Sequence, residues 1–399
     1  MKVCRYVLKN PGTAYENWPD KRKNLYFSNE AFLYHQTIPG YKATRLLNMS
    51  ALAEELGTGA LLVKNEAERF GVKAFKPLGA SYAIFHALSE HYSRATGKEL
   101  PADIFDNPGL LAALPQSCFC AATDGNHGRA VAWTANKLKQ KAVIFMPANA
   151  SEERQKNIKE EHAELVLVDG TFDDCVRKCQ AEADRNGWQV IADTAYEGNM
   201  ELPEYIIQGY KTIFIEIDNE LHNGSLHLDE KAPGIDLLVL PAGVGGLAAA
   251  GAGYYSLHYG KRRPKILIVE PDDADCFLLS AEAGKPVQSP GKQESMMVGL
   301  ACGFPSLAAW PVCRDVADAY IAIPDKWAVD AMKTYARHGV VSGESGSAGL
   351  AGLLAVLSSQ TLASVRSHLS LGSATRVLCI NTEGDTDPGK YLEIVGDVS

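Results

Sequence analysis

The chain reads as an α/β protein. Short β-rich runs alternate with helix-like segments, the composition is that of an ordinary globular protein, and no internal repeat or low-complexity tract breaks the alternation. Strands separated by helices need crossover connections, so the sheet is expected to be mostly parallel and covered on both faces. At 399 residues the chain has room for one or two hydrophobic cores.

The first expected strand is 60–63, an unbroken Ala-Leu-Leu-Val run, followed by a helix from about Leu78 behind Pro77. Strand Cys118–Ala122 precedes a helix from about His127 that sets Val131, Ala135 and Leu138 on one stripe. Strand 142–146, helix 151–161, strand 165–168, helix Phe172–Asn186 and strand 188–192 continue the alternation. Strands 237–240, 266–269 and 377–380 complete it. The stretch 237–255 is nineteen uncharged residues, close to membrane-spanning length. Pro241 and five glycines within it fit a strand, a tight loop and a helix instead. The stretches 100–115 and 218–233 are the best connectors.

Charge and cysteine usage narrow the partners. Forty-eight acidic against 39 basic side chains give a net charge of −9, which repels polyphosphate backbones and anionic headgroups, so neither nucleic acid nor membrane is expected. Nine scattered cysteines without a CxxC pair fit neither a zinc knuckle nor a secreted disulfide framework. A reducing cytoplasm is the expected location, because residues 1–10 lack the apolar run of a secretory signal. No HExxH occurs, so a zinc hydrolase is not supported and no metal is expected. Cys175 and Cys179 read as packing residues, and Lys261, Arg262, Arg263 and Lys265 as a solvated loop.

Ligands in open parallel sheets bind at the carboxyl ends of strands, so the strand-end loops are where chemistry is expected. In Arg69-Phe-Gly-Val-Lys-Ala-Phe-Lys76-Pro-Leu-Gly-Ala80, Pro77 suits a first helical position and biases Lys76 towards an extended backbone. Desolvated, Lys76 would shed its proton readily and condense with an aldehyde. Taken alone, a surface lysine lying over Phe75 is the favoured reading, since Lys73 shows that the loop tolerates lysines. In Thr123-Asp-Gly-Asn-His-Gly-Arg129, Asn126 can cap the helix or hydrogen-bond a phenolate oxygen on a ligand ring. Capping alone leaves Asp124, Gly125 and His127 unexplained. In Pro241-Ala-Gly-Val-Gly-Gly-Leu247, consecutive N–H groups at a helix start make a phosphate cradle. The same Gly243-x-Gly245-x-x-Ala248 spacing satisfies a dinucleotide fingerprint, with Glu270 placed as the ribose-binding acid. Ile380-Asn-Thr-Glu-Gly-Asp-Thr-Asp387 is either a solvated turn or a further ligand loop, and Asp193 alone reads as a turn acid or cap.

Taken together and in order, the lysine, Asp-Gly-Asn-His-Gly and Gly-rich loops resemble those of pyridoxal-phosphate enzymes of the tryptophan-synthase-β type, fold type II. Within that group, the chain resembles the diaminopropionate ammonia-lyases over nearly its whole length. The blocks that carry this are Phe70-Gly-x-x-Ala-Phe-Lys76, Thr123-Asp-Gly-Asn-His-Gly-Arg129, Asp193-Thr-Ala-Tyr-Glu-Gly198 and Ala242-Gly-Val-Gly245. Val269-Glu-Pro271, Gly299-Leu-Ala-Cys-Gly303, Ser342-Gly-Glu-Ser-Gly346 and Thr382-Glu-Gly-Asp-Thr-Asp387 extend it.

The resemblance implies two open, mostly parallel twisted sheets covered by helices. It implies a large cofactor-binding domain of residues 1–78 and 195–399, a small α/β domain of residues 79–194, and a homodimer. Pyridoxal 5'-phosphate is the implied cofactor, with Lys76 as the Schiff-base lysine and Asn126 at the ring oxygen. Gly243, Val244, Gly245 and Gly246 fall at the phosphate, and Thr382, next to Asn381, at the ring nitrogen. A neutral hydroxyl there suits rapid loss of a β-leaving group better than prolonged carbanion storage. Asp124 and Asp193 are the implied acidic pair.

Hydroxy-amino-acid dehydratases usually have a small residue where Asp124 stands. A carboxylate there repels the substrate's own carboxylate, and attraction for a β-ammonium compensates. The implied reaction is α,β-elimination of ammonia from 2,3-diaminopropionate, a small amino acid, giving pyruvate and two ammonias. Lys76 and Asp124 would then serve as bases on opposite faces, one for each stereoisomer. Cys276 and Cys302 fall in or beside resembling blocks, and whether they pair is open. The alternatives are a pyridoxal-phosphate dehydratase of the serine/threonine type, an NAD-dependent oxidoreductase built on the Gly243 loop, and a non-catalytic sensor.

Overall fold

The structure is a computed structural model describing residues 3–123, 125–223 and 232–396. Asp124 therefore lies outside the described residues. The strands are β1 (Arg5–Leu8), β2 (Leu46–Asn48), β3 (Ala60–Asn65), β4 (Cys118–Ala122), β5 (Lys141–Pro147) and β6 (Glu164–Val168). They continue with β7 (Gln189–Val190), β8 (Leu237–Pro241), β9 (Lys265–Pro271), β10 (Ala319–Ile323) and β11 (Arg376–Asn381). A seven-stranded sheet runs β1-β10-β9-β8-β11-β3-β2, and a four-stranded sheet runs β6-β5-β4-β7. The smaller sheet is parallel throughout, whereas the larger is parallel except at its two edges, where β1 and β2 pair antiparallel.

The central strands form because apolar runs buried on both faces suit a parallel sheet clad in helices. Along β8, Leu238 and Leu240 join the core on one face while Leu237 and Val239 join the core on the other. Strands β9 and β11 repeat this alternation with Ile266 and Ile268 against Leu267 and Val269, and Leu378 and Ile380 against Val377 and Cys379. The first of these cores runs on to the smaller sheet through Phe119, Ala121, Ile144 and Met146. Cys120, Val143, Phe145, Cys175 and Cys179 pack the smaller sheet's other face, so both helical cysteines are packing residues.

Several local expectations change. Residues 188–192 shrink to the two-residue β7. β1, β2 and β10 are strands that the sequence patterning did not mark. The stretch 237–255 divides into β8, a glycine loop and the helix Gly246–Tyr259. Among the described residues no single helix is long and apolar enough to cross a membrane. Arg263 and Lys265 are not idle solvated charges: they reach buried Asp318 at 2.7 and 2.8 Å.

Two packing features hold the segment that carries Lys76. The helices Lys76–Thr96 and Glu201–Asn223 cross where Gly79 meets Gly209. A Cβ at Gly209 would run into Leu78 O, and one at Gly79 would lie 2.5 Å from the Tyr210 ring, so only glycines allow this approach. Beyond β3, a buried network ties the 3-10 helix Glu66–Gly71 to the second of those helices. Arg69 reaches Glu66 at 2.9 Å and Glu216 at 2.7 Å, Lys64 reaches Glu216 at 2.6 Å, and Thr44 and Tyr41 hydroxyls donate to Glu66 and Glu216 at 2.6 Å. The two cations balance the two carboxylates, and this mutual pairing offsets the cost of burying all four.

Candidate active site

The motif loops gather because their strands are neighbours. β8, β11 and β3 lie side by side and parallel, so the Gly243, Thr382 and Lys76 loops leave the same edge of the larger sheet. β4 and β7 are likewise adjacent and parallel, which brings the Asn126 and Asp193 loops together. The Lys76 and Thr382 loops are zipped by Phe75 N donating to Thr382 O at 3.2 Å and Gly384 N to Lys73 O at 2.9 Å. The Asp193 and Gly243 loops meet through Ser306, whose hydroxyl accepts from Ala195 N at 2.9 Å and whose N–H donates to Val244 O at 3.0 Å.

At the centre, Lys76 Nζ donates to Asp193 Oδ2 at 2.7 Å, with 16% of the lysine side chain open to the site. Lys76 is not extended, as Pro77 had suggested. It is the first residue of its helix, and Pro77 occupies the first turn, where a missing N–H costs nothing. Nor does Lys76 lose its proton more readily. Burial pulls that way, but the Asp193 carboxylate and the Tyr210 ring outweigh it and hold the ammonium well above the usual lysine range. Reciprocally, burial disfavours the Asp193 carboxylate, yet the Lys76 ammonium beside it keeps it below the usual carboxylate range. The surface-lysine reading is thereby overturned.

His127 is 7% exposed and shares Ile191 O at 2.7 Å through Nε2. A carbonyl only accepts, so Nε2 carries the proton and Nδ1 is bare, 3.9 Å from Asp193 Oδ2 and without a hydrogen-bond partner. Burial pushes the His127 pKa down, in keeping with a neutral ring.

Asn126 does not cap its helix. The N-cap is Gly125, and Thr123 Oγ1 takes the N–H groups of Gly125 and Gly128, each at 3.0 Å. The Asn126 amide is free for other work, and Nδ2 donates to Glu383 Oε2. Glu383 was not singled out from the sequence, where it sits inside a run of turn-like polar residues; its role depends on a partner 257 positions away. Thr382 Oγ1 donates to Ser345 O at 3.3 Å, while Asn381 Nδ2 is spent on Asn65 Oδ1 at 2.8 Å and Val341 O at 2.9 Å. Ser345 Oγ in turn accepts Gly299 N at 3.0 Å, so the Ser342 and Gly299 blocks join the same cluster.

The glycine loop opens the helix Gly246–Tyr259. Gly245 has φ +92°, and a Cβ there would run into the Phe277 ring; one at Gly243 would lie 3.0 Å from both Gly299 O and Cys302 Sγ. Glycine at these positions lets the loop pack closely against Phe277, Gly299 and Cys302 as it enters the helix. Glu270 takes no part in it. Its two oxygens accept Phe277 N at 2.7 Å and Leu278 N at 2.8 Å, which caps the helix Cys276–Ala283 and leaves no acid for a ribose. Cys276 and Cys302 are not joined in a disulfide.

A part-buried lysine paired with a carboxylate, a glycine loop at a helix start and an amide released from capping stand on the strand-end loops of two parallel-stranded sheets, an arrangement that defines a class. The chain belongs to the pyridoxal-phosphate-dependent enzymes: the family described as "Pyridoxal-phosphate dependent enzyme" matches residues 38–369. Within it the chain belongs with the diaminopropionate ammonia-lyases. It is 36% identical to the diaminopropionate ammonia-lyase of Salmonella typhimurium over 375 residues, covering 92% of this chain and 91% of that protein. The Escherichia coli K12 relative is 38% identical over 368 residues, covering 91% and 89%. Solved structures of diaminopropionate ammonia lyase from Escherichia coli, a holo form and one in complex with D-serine, match with a TM-score of 0.87 and 34% identity over 99% of this chain and 97% of theirs.

Proposed function

We propose that this chain eliminates ammonia from 2,3-diaminopropionate, with Lys76, Asp193 and Asp124 as its catalytic residues. The observation that carries the reading is the Lys76–Asp193 contact at 2.7 Å, set where the loops of both sheets meet. The residues fit pyridoxal phosphate: a primary amine partly open to the site for its aldehyde, a glycine loop at the start of a helix for its phosphate, and an amide released from capping for its ring oxygen. Lys76 would hold it covalently, Gly243, Val244, Gly245 and Gly246 would hold the phosphate, Asn126 the ring oxygen, and Thr382 the ring nitrogen. When bound, the cofactor supplies a sink for the electron pair left at the substrate's α-carbon.

The chain's own groups account for the proton traffic. Asp193 Oδ2 is the acceptor nearest Lys76 Nζ, so a proton leaving the ammonium has a carboxylate to go to, and the amine so freed can act as nucleophile and as α-carbon base. Asp193 also presents a fixed negative charge that attracts a β-ammonium and can return a proton to the departing ammonia. The helix start at Gly246 orients an anion without any lysine or arginine being needed. Asp124 serves as the base on the opposite face, which lets both stereoisomers react. Residues 79–194 act as a small domain against residues 1–78 and 195–399, and the enzyme works as a homodimer in the cytoplasm.

Incubating the purified chain with D- and L-2,3-diaminopropionate and measuring pyruvate and ammonia tests the reading. Two ammonias per pyruvate are expected, lost in Lys76→Ala. Faster turnover of serine or threonine would instead assign a hydroxy-amino-acid dehydratase.

A further inference from the structure

An asparagine amide has two ends alike in shape and opposite in hydrogen-bonding sense. A ring oxygen carrying negative charge is served only by the Nδ2 end, so something must set which way Asn126 faces. We propose that Glu383 is that positioning residue: its carboxylate fixes the Asn126 amide so that Nδ2, and not Oδ1, is presented to the ring of the bound cofactor. The inference rests on the pyridoxal-phosphate reading above and adds a residue to it.

The geometry supports this at each end of the contact. Glu383 is 6% exposed, and its carboxylate is held from two sides, with Oε2 accepting Asn126 Nδ2 and Oε1 accepting Ser345 N at 2.9 Å. Its main chain is pinned too, since Glu383 O accepts Gly343 N at 3.0 Å and the residue bridges to Ala74 in the lysine loop. A carboxylate so fixed can only accept, so it draws Nδ2 towards itself and rejects Oδ1. One of the two Nδ2 hydrogens is thereby used, and the second remains for a ligand. The site is costly for a charge: burial, and then the neighbouring Glu344 carboxylate, push Glu383 above the usual carboxylate range. A buried glutamate beside another glutamate calls for a purpose, and the amide it faces supplies one. Replacing it with the isosteric amide relieves that charge, so Glu383→Gln is expected to fold.

The test is a double-mutant cycle on cofactor affinity. Apo wild type, Glu383→Gln, Asn126→Ala and the double variant are titrated with pyridoxal phosphate by absorbance, with the unfolding midpoint followed alongside. Each single variant is expected to bind about tenfold more weakly, the worth of one oriented hydrogen bond, and the double variant no more weakly than Asn126→Ala alone. Glu383→Asp, which keeps the acceptor sense, is expected to recover part of the loss. Losses that multiply in the double variant, or a Glu383→Gln chain that binds as wild type does, overturn the role of Glu383 while leaving the cofactor reading intact. A wild-type chain that takes up no pyridoxal phosphate overturns both.

Discussion

Burial is the largest single influence on both Lys76 and Asp193, and their mutual pairing together with the neighbouring groups outweighs it. Asp193→Asn should therefore let burial dominate and bring the Lys76 ammonium down from its raised position. The expected outcome is a chain that still binds pyridoxal phosphate but turns over about 10²–10⁴-fold more slowly, as loss of a proton-transfer partner does. The same pair sets a pH window in the apo chain. Asp193 is depressed when folded, so its contribution is present above about pH 4 and fades as pH falls through the folded value. Lys76 is raised, so its contribution is present below about pH 10 and fades only as pH rises through its folded value. Unfolding midpoints across that range should lose this plateau term in Asp193→Asn. The loops of Lys76, Asn126 and Gly243 could be picked out in the sequence because each is a local oddity, a lysine before proline, a polar cluster at a helix start, glycines in a row, although Lys76 taken alone read as a surface lysine. Glu383 and the bare Nδ1 of His127 were not, because what matters about them is which distant side chain they face.

Helix caps show the same division between local and long-range signals. The Thr171–Asp174 capping box of the helix Phe172–Asn186 is written in four neighbouring residues, and its helix bounds are those expected. Glu270, by contrast, reaches from the end of β9 to the start of another helix, so from the sequence it looked like a ribose acid. Burial pushes its pKa up to about 8 despite the two N–H groups it accepts. A raised carboxyl stabilises the fold below its unfolded value, near 4, and loses that contribution as pH rises through about 8. Wild type is thus expected to be less heat-stable at pH 9 than at pH 6, and Glu270→Gln to flatten that difference, as calorimetry across pH would report. Among strands, the doubly buried runs were plain, whereas β1 and β2 are short, partly exposed edges with weak alternation. β10 is fully buried, but Ala319 and Ala322 dilute its β-forming signal.

Across the whole molecule, the segment after β11 adds side-chain bonds to the core that joins the two sheets. Asn126, Ser151 and Asn157, all carried by elements around the smaller sheet, bond Glu383, Asp387 and Thr386, the last two contacts at 3.0 and 2.9 Å. The buried network of Lys64, Glu66, Arg69 and Glu216 braces the other side of the lysine loop. Glu216→Ala would leave Lys64 and Arg69 with an uncompensated charge, and a loss of about 3–5 kcal/mol is expected in denaturant titration. An unchanged midpoint would mean that water or a rearranged carboxylate replaces Glu216. The two rims of the larger sheet are β1 and β2, and β1 pairs with β10, where Arg5 lies opposite Ala322. During synthesis β1 must therefore wait, unzipped, until β10, about three hundred residues further along, has left the ribosome.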